Sequence, residues 1–132
     1  MINALILLLG LLLIKHFVVD FYCQTEYQWK NKGNFKHPGG YLHAFLHVSG
    51  SFFVYEIIAG LTGLFPEWWL VWFLLAVEGV THYLTDYTKV NICKKYGWAP
   101  TTSPLFWWAT GTDQLIHVLV LLFTGWFYIQ NV

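Results

Sequence analysis

Four apolar segments of this chain each carry two ionisable side chains that lie four positions apart. The pairs, in chain order, are His16 and Asp20, His43 and His47, His82 and Asp86, and Asp113 and His117. A spacing of four places both side chains of a pair on one face of a helix, about one turn apart. Burying an ionisable group in hydrocarbon is energetically expensive. Because every segment repeats this cost, the pattern predicts a polar cluster inside a membrane protein.

The composition also places the chain in a bilayer. A soluble domain has about 25% charged residues, whereas this chain of 132 residues has 11% charged and 57% hydrophobic residues. We therefore expect a single transmembrane domain comprising residues 1–132, in contact with membrane lipids. Nucleic acid is not an expected partner, because the net charge is zero and there is no basic run. The composition is compatible with an oligomer.

The apolar segments predict an all-α fold. Since a helix needs roughly 20 residues to cross the hydrocarbon core, we predict four spans at 2–22, 41–64, 67–89 and 113–131. Between the third and fourth spans, the apolar run Leu105–Trp108 is expected to lie along the membrane surface. The expected architecture is an integral membrane four-helix bundle with this membrane-surface segment between helices 3 and 4.

Every basic residue is a lysine, and the lysines are unevenly distributed between the loops. The first long loop holds Lys30, Lys32 and Lys36, and the second holds Lys94 and Lys95. Lysine-rich loops face the cytoplasm. We therefore expect a multi-pass protein of the bacterial inner membrane with both long loops inside and both termini outside. The four pairs then lie within about two turns of the cytoplasmic interface, around a polar chamber open toward the cytoplasm.

The residue types of this cluster are those that bind transition metals. Imidazole and carboxylate groups one turn apart on helices hold Zn, Mn or Fe. We predict seven ligands for one or two divalent ions, namely His16, His43, His47, His82, Asp86, Asp113 and His117. Two such ions activate water and stabilise developing charge in hydrolytic reactions.

Four more residues have expected roles beside the ions. Asp20 is expected to bind a metal or to orient a ligand, and Glu78, one turn from His82 on the same face, is a candidate general base. Both are candidate catalytic residues. Lys89 and Gln114 are candidates for binding an anionic head group. The predicted function is metal-dependent hydrolysis of a lipid-associated or amphipathic substrate at the inner leaflet.

Other interpretations of the same residues remain open. The cluster could be the ion site of a small transporter or conductor, although the outer half of the membrane offers only Glu56. It could bind haem, which four nearby carboxylates disfavour, or form the hydrogen-bonded core of a non-catalytic protein. Asp113 also fits a capping box with Thr110. Lys15 and Lys89 are expected to extend toward the head groups.

The polar positions also form an ordered motif. In chain order it consists of Lys15-His16-x-x-x-Asp20-Phe21-x-x-Gln24, His43-x-x-x-His47, Thr81-His82-x-x-x-Asp86-x-x-Lys89 and Asp113-Gln114-x-x-His117. This order resembles domain of unknown function 3307, a family of small bacterial and phage membrane proteins, over essentially the whole chain. The resemblance implies a four-span protein with these positions as its signature. It implies no activity, because the family is uncharacterised.

Overall fold

The computed structural model describes residues 1–132 and contains five helices and no strand. The helices are α1 (Ile2–Phe21), α2 (Glu26–Asn31), α3 (Pro38–Thr62), α4 (Trp68–Tyr96) and α5 (Pro104–Gln130). The four long helices form a ring, because α1 and α4 each pack against both α3 and α5. The short helix α2 packs against α3. The prediction of an all-α fold is confirmed.

Three helices, α1, α3 and α5, are long and apolar enough to cross a membrane. The chain is therefore a candidate membrane protein with at least these spans. The helix α4 has 29 residues and is longer than any of them. It is not apolar enough to count as a candidate span. Its polar residues, including Glu78, His82 and Asp86, lower its mean hydropathy.

Local signals at the helix ends explain where α5 begins. Ser103 caps the helix by accepting a hydrogen bond from the Leu105 backbone N–H at 3.2 Å, and Pro104 occupies the first turn. Serine before proline is a strong start signal, because the serine satisfies an unpaired N–H and proline has none to lose. The residues Leu105–Trp108 form the first turns of α5, so the prediction that they are a segment separate from the last helix is wrong. Their position along the membrane surface stays a prediction. The capping role suggested for Asp113 is also wrong, because this residue lies well inside the helix.

The interior of the ring has an apolar end and a polar end. At the apolar end, Leu8, Leu12, Ile58, Leu74 and Leu121 are each at most 2% exposed and belong to one core cluster. The polar end is formed by the last turns of α1, the first turns of α3, the second half of α4 and the middle of α5. All four ionisable pairs lie at this end, so the alternating directions of the helices bring them to one level.

Candidate metal centre

The four ionisable pairs converge between the long helices. We call them together the His/Asp cluster, which comprises His16, Asp20, His43, His47, His82, Asp86, Asp113 and His117. The seven predicted ligands are each at most 5% exposed, and the side chain of Asp20 is 6% exposed. None of the pairs points to the outer surface of the bundle. The structure thus brings together every residue that the sequence predicted as a ligand.

Asp20 is the centre of the tightest group of donor atoms. Its Oδ1 lies 3.1 Å from Nε2 of His43, 3.1 Å from Nε2 of His47 and 3.8 Å from Nε2 of His82. One donor atom from each of these four residues lies within 4.8 Å of all the others. Three imidazoles and one carboxylate form a donor set that suits tetrahedral zinc.

Two further groups of donors extend the cluster across the bundle. His16, His82 and His117 form one group, and Asp86, Asp113 and His117 form the other, each within the same 4.8 Å limit. His82 and His117 belong to two groups each, and their rings stack with centroids 3.9 Å apart. Since an imidazole has two nitrogens on different edges of its ring, the three groups form one continuous cluster.

Several donor atoms of the cluster have no hydrogen-bond partner in the protein. They are Nδ1 of His47, Oδ2 of Asp86, Oδ1 of Asp113 and both ring nitrogens of His117. Buried polar atoms are nearly always paired, and leaving one unpaired costs roughly 1–3 kcal/mol. Unpaired nitrogen and carboxylate oxygen atoms within one cluster can act as ligands of a divalent ion. The donor set therefore fits a metal.

The charges of the site are not balanced by protein groups alone. Four buried carboxylates, those of Asp20, Glu78, Asp86 and Asp113, meet only two lysines, the buried Lys15 and the partly buried Lys32. Buried charges are costly unless they are paired. With neutral histidines the site carries two negative charges in excess, an amount that one divalent ion would neutralise.

Lys15 is one of the two lysines, and its predicted position was wrong. It is 9% exposed instead of extending to the head groups. Its Nζ donates to Glu78 Oε1 at 2.5 Å and to the His47 carbonyl at 3.2 Å. An ammonium group remains buried when a carboxylate compensates its lost hydration. Lys15 therefore joins α1 to α3 and α4 at the edge of the cluster that is nearest to the apolar end of the bundle.

The first loop covers the cluster at the polar end of the bundle. Lys32, just after α2, donates to Asp86 Oδ1 at 2.8 Å, and Gln24 Nε2 lies 3.2 Å from His43 Nε2. The predicted open chamber is therefore closed in this structure, because the first loop folds over this end of the bundle. Sequence reasoning missed Lys32, although a lysine-rich loop adjoining three buried aspartates was a signal of pairing.

The remaining predicted residues lie around the cluster. Gln114 donates to Asp20 Oδ2 at 2.9 Å, and its Oε1 lies 3.2 Å from His16 Nε2. Its amide thus orients two cluster residues, and its binding of a head group stays a prediction. Lys89 is half-buried, with Nζ 4.9 Å from the centroid of the Phe106 ring. Glu56 is exposed and lies outside the cluster.

A small cavity adjoins the cluster at Glu78. It has a volume of about 10 Å³, and its lining includes His16, Glu78, His82 and His117. This is about the space that one water molecule needs. Glu78 uses Oε1 for Lys15, while its Oε2 is buried and has no hydrogen-bond partner. The cavity therefore has room for one small molecule beside a carboxylate and three imidazoles.

The comparisons with known proteins identify a family without an assigned function. The family model described as protein of unknown function (DUF3307) matches residues 8–132. No curated protein and no solved structure matches the chain. The matched region contains the whole His/Asp cluster together with Lys15, Glu78 and Lys89. The chain belongs to the DUF3307 family.

Proposed function

We propose that this protein is a metal-dependent hydrolase that acts on a lipid-associated or amphipathic substrate at the membrane. The observation that carries the proposal is the set of three overlapping donor groups that includes all seven predicted ligands. A structural zinc site needs four ligands. The surplus donors leave room for a second ion or for an open coordination position, which hydrolytic chemistry requires. The ions would be Zn, Mn or Fe.

The proposed membrane arrangement has four spans, with α4 as the third. At 1.5 Å per residue its 29 residues extend about 44 Å, which exceeds the roughly 30 Å hydrocarbon core. Its packing against α3 and α5, both apolar enough to span, supports this assignment. The lysine-rich loops favour an orientation in the bacterial inner membrane with the His/Asp cluster toward the cytoplasm and both termini outside.

Each of these residues would have a distinct role in ester hydrolysis. The bound ions would polarise the substrate and lower the pKa of a water molecule. Glu78 Oε2 would accept a proton from that water while the water oxygen bonds to the phosphorus or carbonyl carbon of the ester. The ester bond to the alcohol then breaks, and Glu78 returns the proton to the leaving oxygen. Lys15 would hold Glu78 in place, while Lys89 and Gln114 attract the anionic part of the substrate.

A second candidate function, proton or ion conduction, is favoured by one observation. The face of α3 that carries His43 and His47 continues with Ser51 and Tyr55, whose hydroxyls are buried without a partner. Buried polar atoms thus extend beyond Glu78 toward the apolar end of the bundle. Conduction would require this row to carry ions across the whole membrane. Proton flux into liposomes, which hydrolysis does not require, distinguishes the two functions.

The decisive test of the hydrolase is the Glu78→Gln variant. Purified wild-type protein should contain one or two divalent ions per chain and release phosphate from a probe such as hexadecyl phosphate. Glu78→Gln should keep its metal, measured by elemental analysis, but lose turnover by at least about a hundredfold, because general base catalysis contributes that much. Wild-type protein without metal, or an active Glu78→Gln, would contradict the proposal.

The loss of Glu78 also leaves Lys15 without its carboxylate partner, so the variant could fail to fold for that reason alone. The double variant Lys15→Met and Glu78→Gln removes both charges of the pair. It should fold, bind metal and remain inactive. An active double variant would exclude Glu78 as the base.

A further inference from the structure

Two grooves of similar size run along α4, one between α4 and α5 and the other between α3 and α4, and both reach Leu84. The α4/α5 groove, lined by residues that include Leu84, Lys89, Trp108 and Asp113, has a volume of about 600 Å³. The α3/α4 groove, lined by Phe45, Trp72 and Ala76 among others, has a volume of about 570 Å³. Both volumes fall within the range of small-molecule sites, roughly 300–1,000 Å³. Size alone therefore does not distinguish them.

The two grooves differ in their connection to the His/Asp cluster. The α4/α5 groove reaches Asp113, which forms a donor group with Asp86 and His117 and has one unpaired oxygen. The α3/α4 groove contains no cluster residue and no charged residue. Only the α4/α5 groove therefore leads from the outer surface of the helices to the candidate metal centre.

The α4/α5 groove also carries the one lysine near the cluster that forms no salt bridge. Lys15 and Lys32 are bound to Glu78 and Asp86, whereas Lys89 only contacts the face of the Phe106 ring. Its charge is thus available to an external anion. Trp98 and Trp108 line the same groove, and tryptophan is enriched at the level of the lipid head groups. The groove combines apolar walls, two tryptophans and one cation.

We propose that the α4/α5 groove is a lateral entrance through which an anionic lipid with a phosphate head reaches the metal centre from the bilayer. The hydrocarbon chain lies along Leu84, Leu105 and Ile116, and the phosphate lies between Lys89 and the ions beside Asp113. This assignment rests on the proposed hydrolytic function and names its substrate as a long-chain phosphate ester. Entry from the bilayer also explains how a cluster covered by the first loop is reached.

With metal bound, the net charge of the site would attract an anionic head group. Without metal the cluster has two negative charges in excess and would repel phosphate. With two divalent ions the balance becomes two positive charges, and Lys89 adds a third at the groove. Attraction between opposite charges is strong where water is largely excluded. Binding of the anionic lipid should therefore depend on both Lys89 and bound metal.

A photoreactive probe tests the groove independently of turnover. Metal-loaded Glu78→Gln protein, which should bind the probe without hydrolysing it, would be irradiated in detergent micelles with hexadecyl phosphate that carries a diazirine near the chain end. The labelled peptides would be identified by mass spectrometry. Labelling should fall on residues 105–116 of the α4/α5 groove. Excess hexadecyl phosphate should reduce it at least tenfold, whereas uncharged hexadecanol should not. Equal labelling of both grooves, or equal competition by hexadecanol, would show ordinary lipid contact and overturn the proposal.

Matched substitutions sharpen the test. Ala109→Phe fills the α4/α5 groove and should reduce labelling at least tenfold, while Ala76→Phe fills the α3/α4 groove and should not reduce it. Lys89→Gln should leave metal content unchanged and abolish the advantage of hexadecyl phosphate over hexadecanol as a competitor. If Ala109→Phe and Ala76→Phe have equal effects, the groove has no special role.

The experiments distinguish an error in the proposed lateral entrance from an error in the proposed hydrolytic function. Specific labelling without phosphate release would retain the groove as a binding site for a phosphate lipid and reject the hydrolase. Hydrolysis of water-soluble 4-nitrophenyl phosphate without specific labelling would retain the hydrolase and reject the lateral entrance.

Discussion

His82 lies where two donor groups of the cluster meet. It is 3.1 Å from His43 through their Nε2 atoms, it stacks on His117, and it is 3% exposed. Its ring therefore contacts the donors on α3 and on α5 from α4. A residue that belongs to two groups should influence an ion bound in either of them, whereas a residue of a single group influences one.

The variant His82→Ala should accordingly lose metal. Substituting residues that only orient ligands weakens metal binding about 10–100-fold, so loss of a ligand shared by two groups should weaken it by more than a hundredfold. Elemental analysis and competition with a chelator measure the effect. Glu56→Gln is the matched control, because Glu56 is exposed on α3 away from the cluster, and its metal content should not change. Equal losses in both variants would indicate general unfolding and reject a specific role for His82.

The sequence predicted that the four pairs converge, but it did not predict which other side chains contact them. The spacing of His43 and His47, or of His82 and Asp86, is a local pattern that places both side chains on one helical face. The pairing of Lys32 with Asp86 joins residues 54 positions apart, and no local pattern encodes it. The same reasoning explains why Lys15 was misplaced. A lysine near a helix end extends to water unless tertiary structure supplies a buried carboxylate.

At the scale of elements, the first loop and α5 differ most from the sequence-based expectation. The first loop was expected only as a polar, lysine-rich connection between spans, yet it contains α2, whose Gln28 is 1% exposed. The helix α5 begins at Pro104, nine positions before the predicted span. The length of an apolar segment defines the membrane crossing and not the helix, so α4 and α5 both extend beyond their predicted spans at the polar end.

The orientation of the first loop is a prediction at this scale. The lysines near α2 favour the cytoplasmic side, and Asn34 in the same loop is exposed. In a Cys23→Ser and Cys93→Ser background, Asn34→Cys should react with a membrane-impermeant maleimide only after the cells are permeabilised. Gly63→Cys, in the turn between α3 and α4, should react in intact cells. Labelling of Asn34→Cys from outside would reverse the orientation and place the His/Asp cluster at the outer face.

At the scale of the whole molecule, the interior divides into an apolar end that packs well and a polar end with unbalanced charge. The apolar end buries large side chains such as Tyr55 and Tyr128, whose rings stack 4.9 Å apart. The polar end concentrates carboxylates and imidazoles from all four long helices. Ions bound there would connect four helices at once, so metal binding and stability of the bundle should be coupled.

The coupling predicts that removing metal destabilises the entire protein. A ligand present at a hundred times its Kd stabilises the folded state by about 2.7 kcal/mol, and for a chain of this size that corresponds to a decrease in Tm on the order of 10 °C when the ligand is removed. Thermal unfolding in detergent, followed by tryptophan fluorescence with and without EDTA, measures the change. Added Zn²⁺ or Mn²⁺ should restore the original Tm. The His82→Ala variant should start from the lower Tm and respond little to EDTA, since it has already lost its metal. An identical response of wild type and variant would instead assign the effect to the chelator, and the polar end would then be stabilised by hydrogen bonds alone.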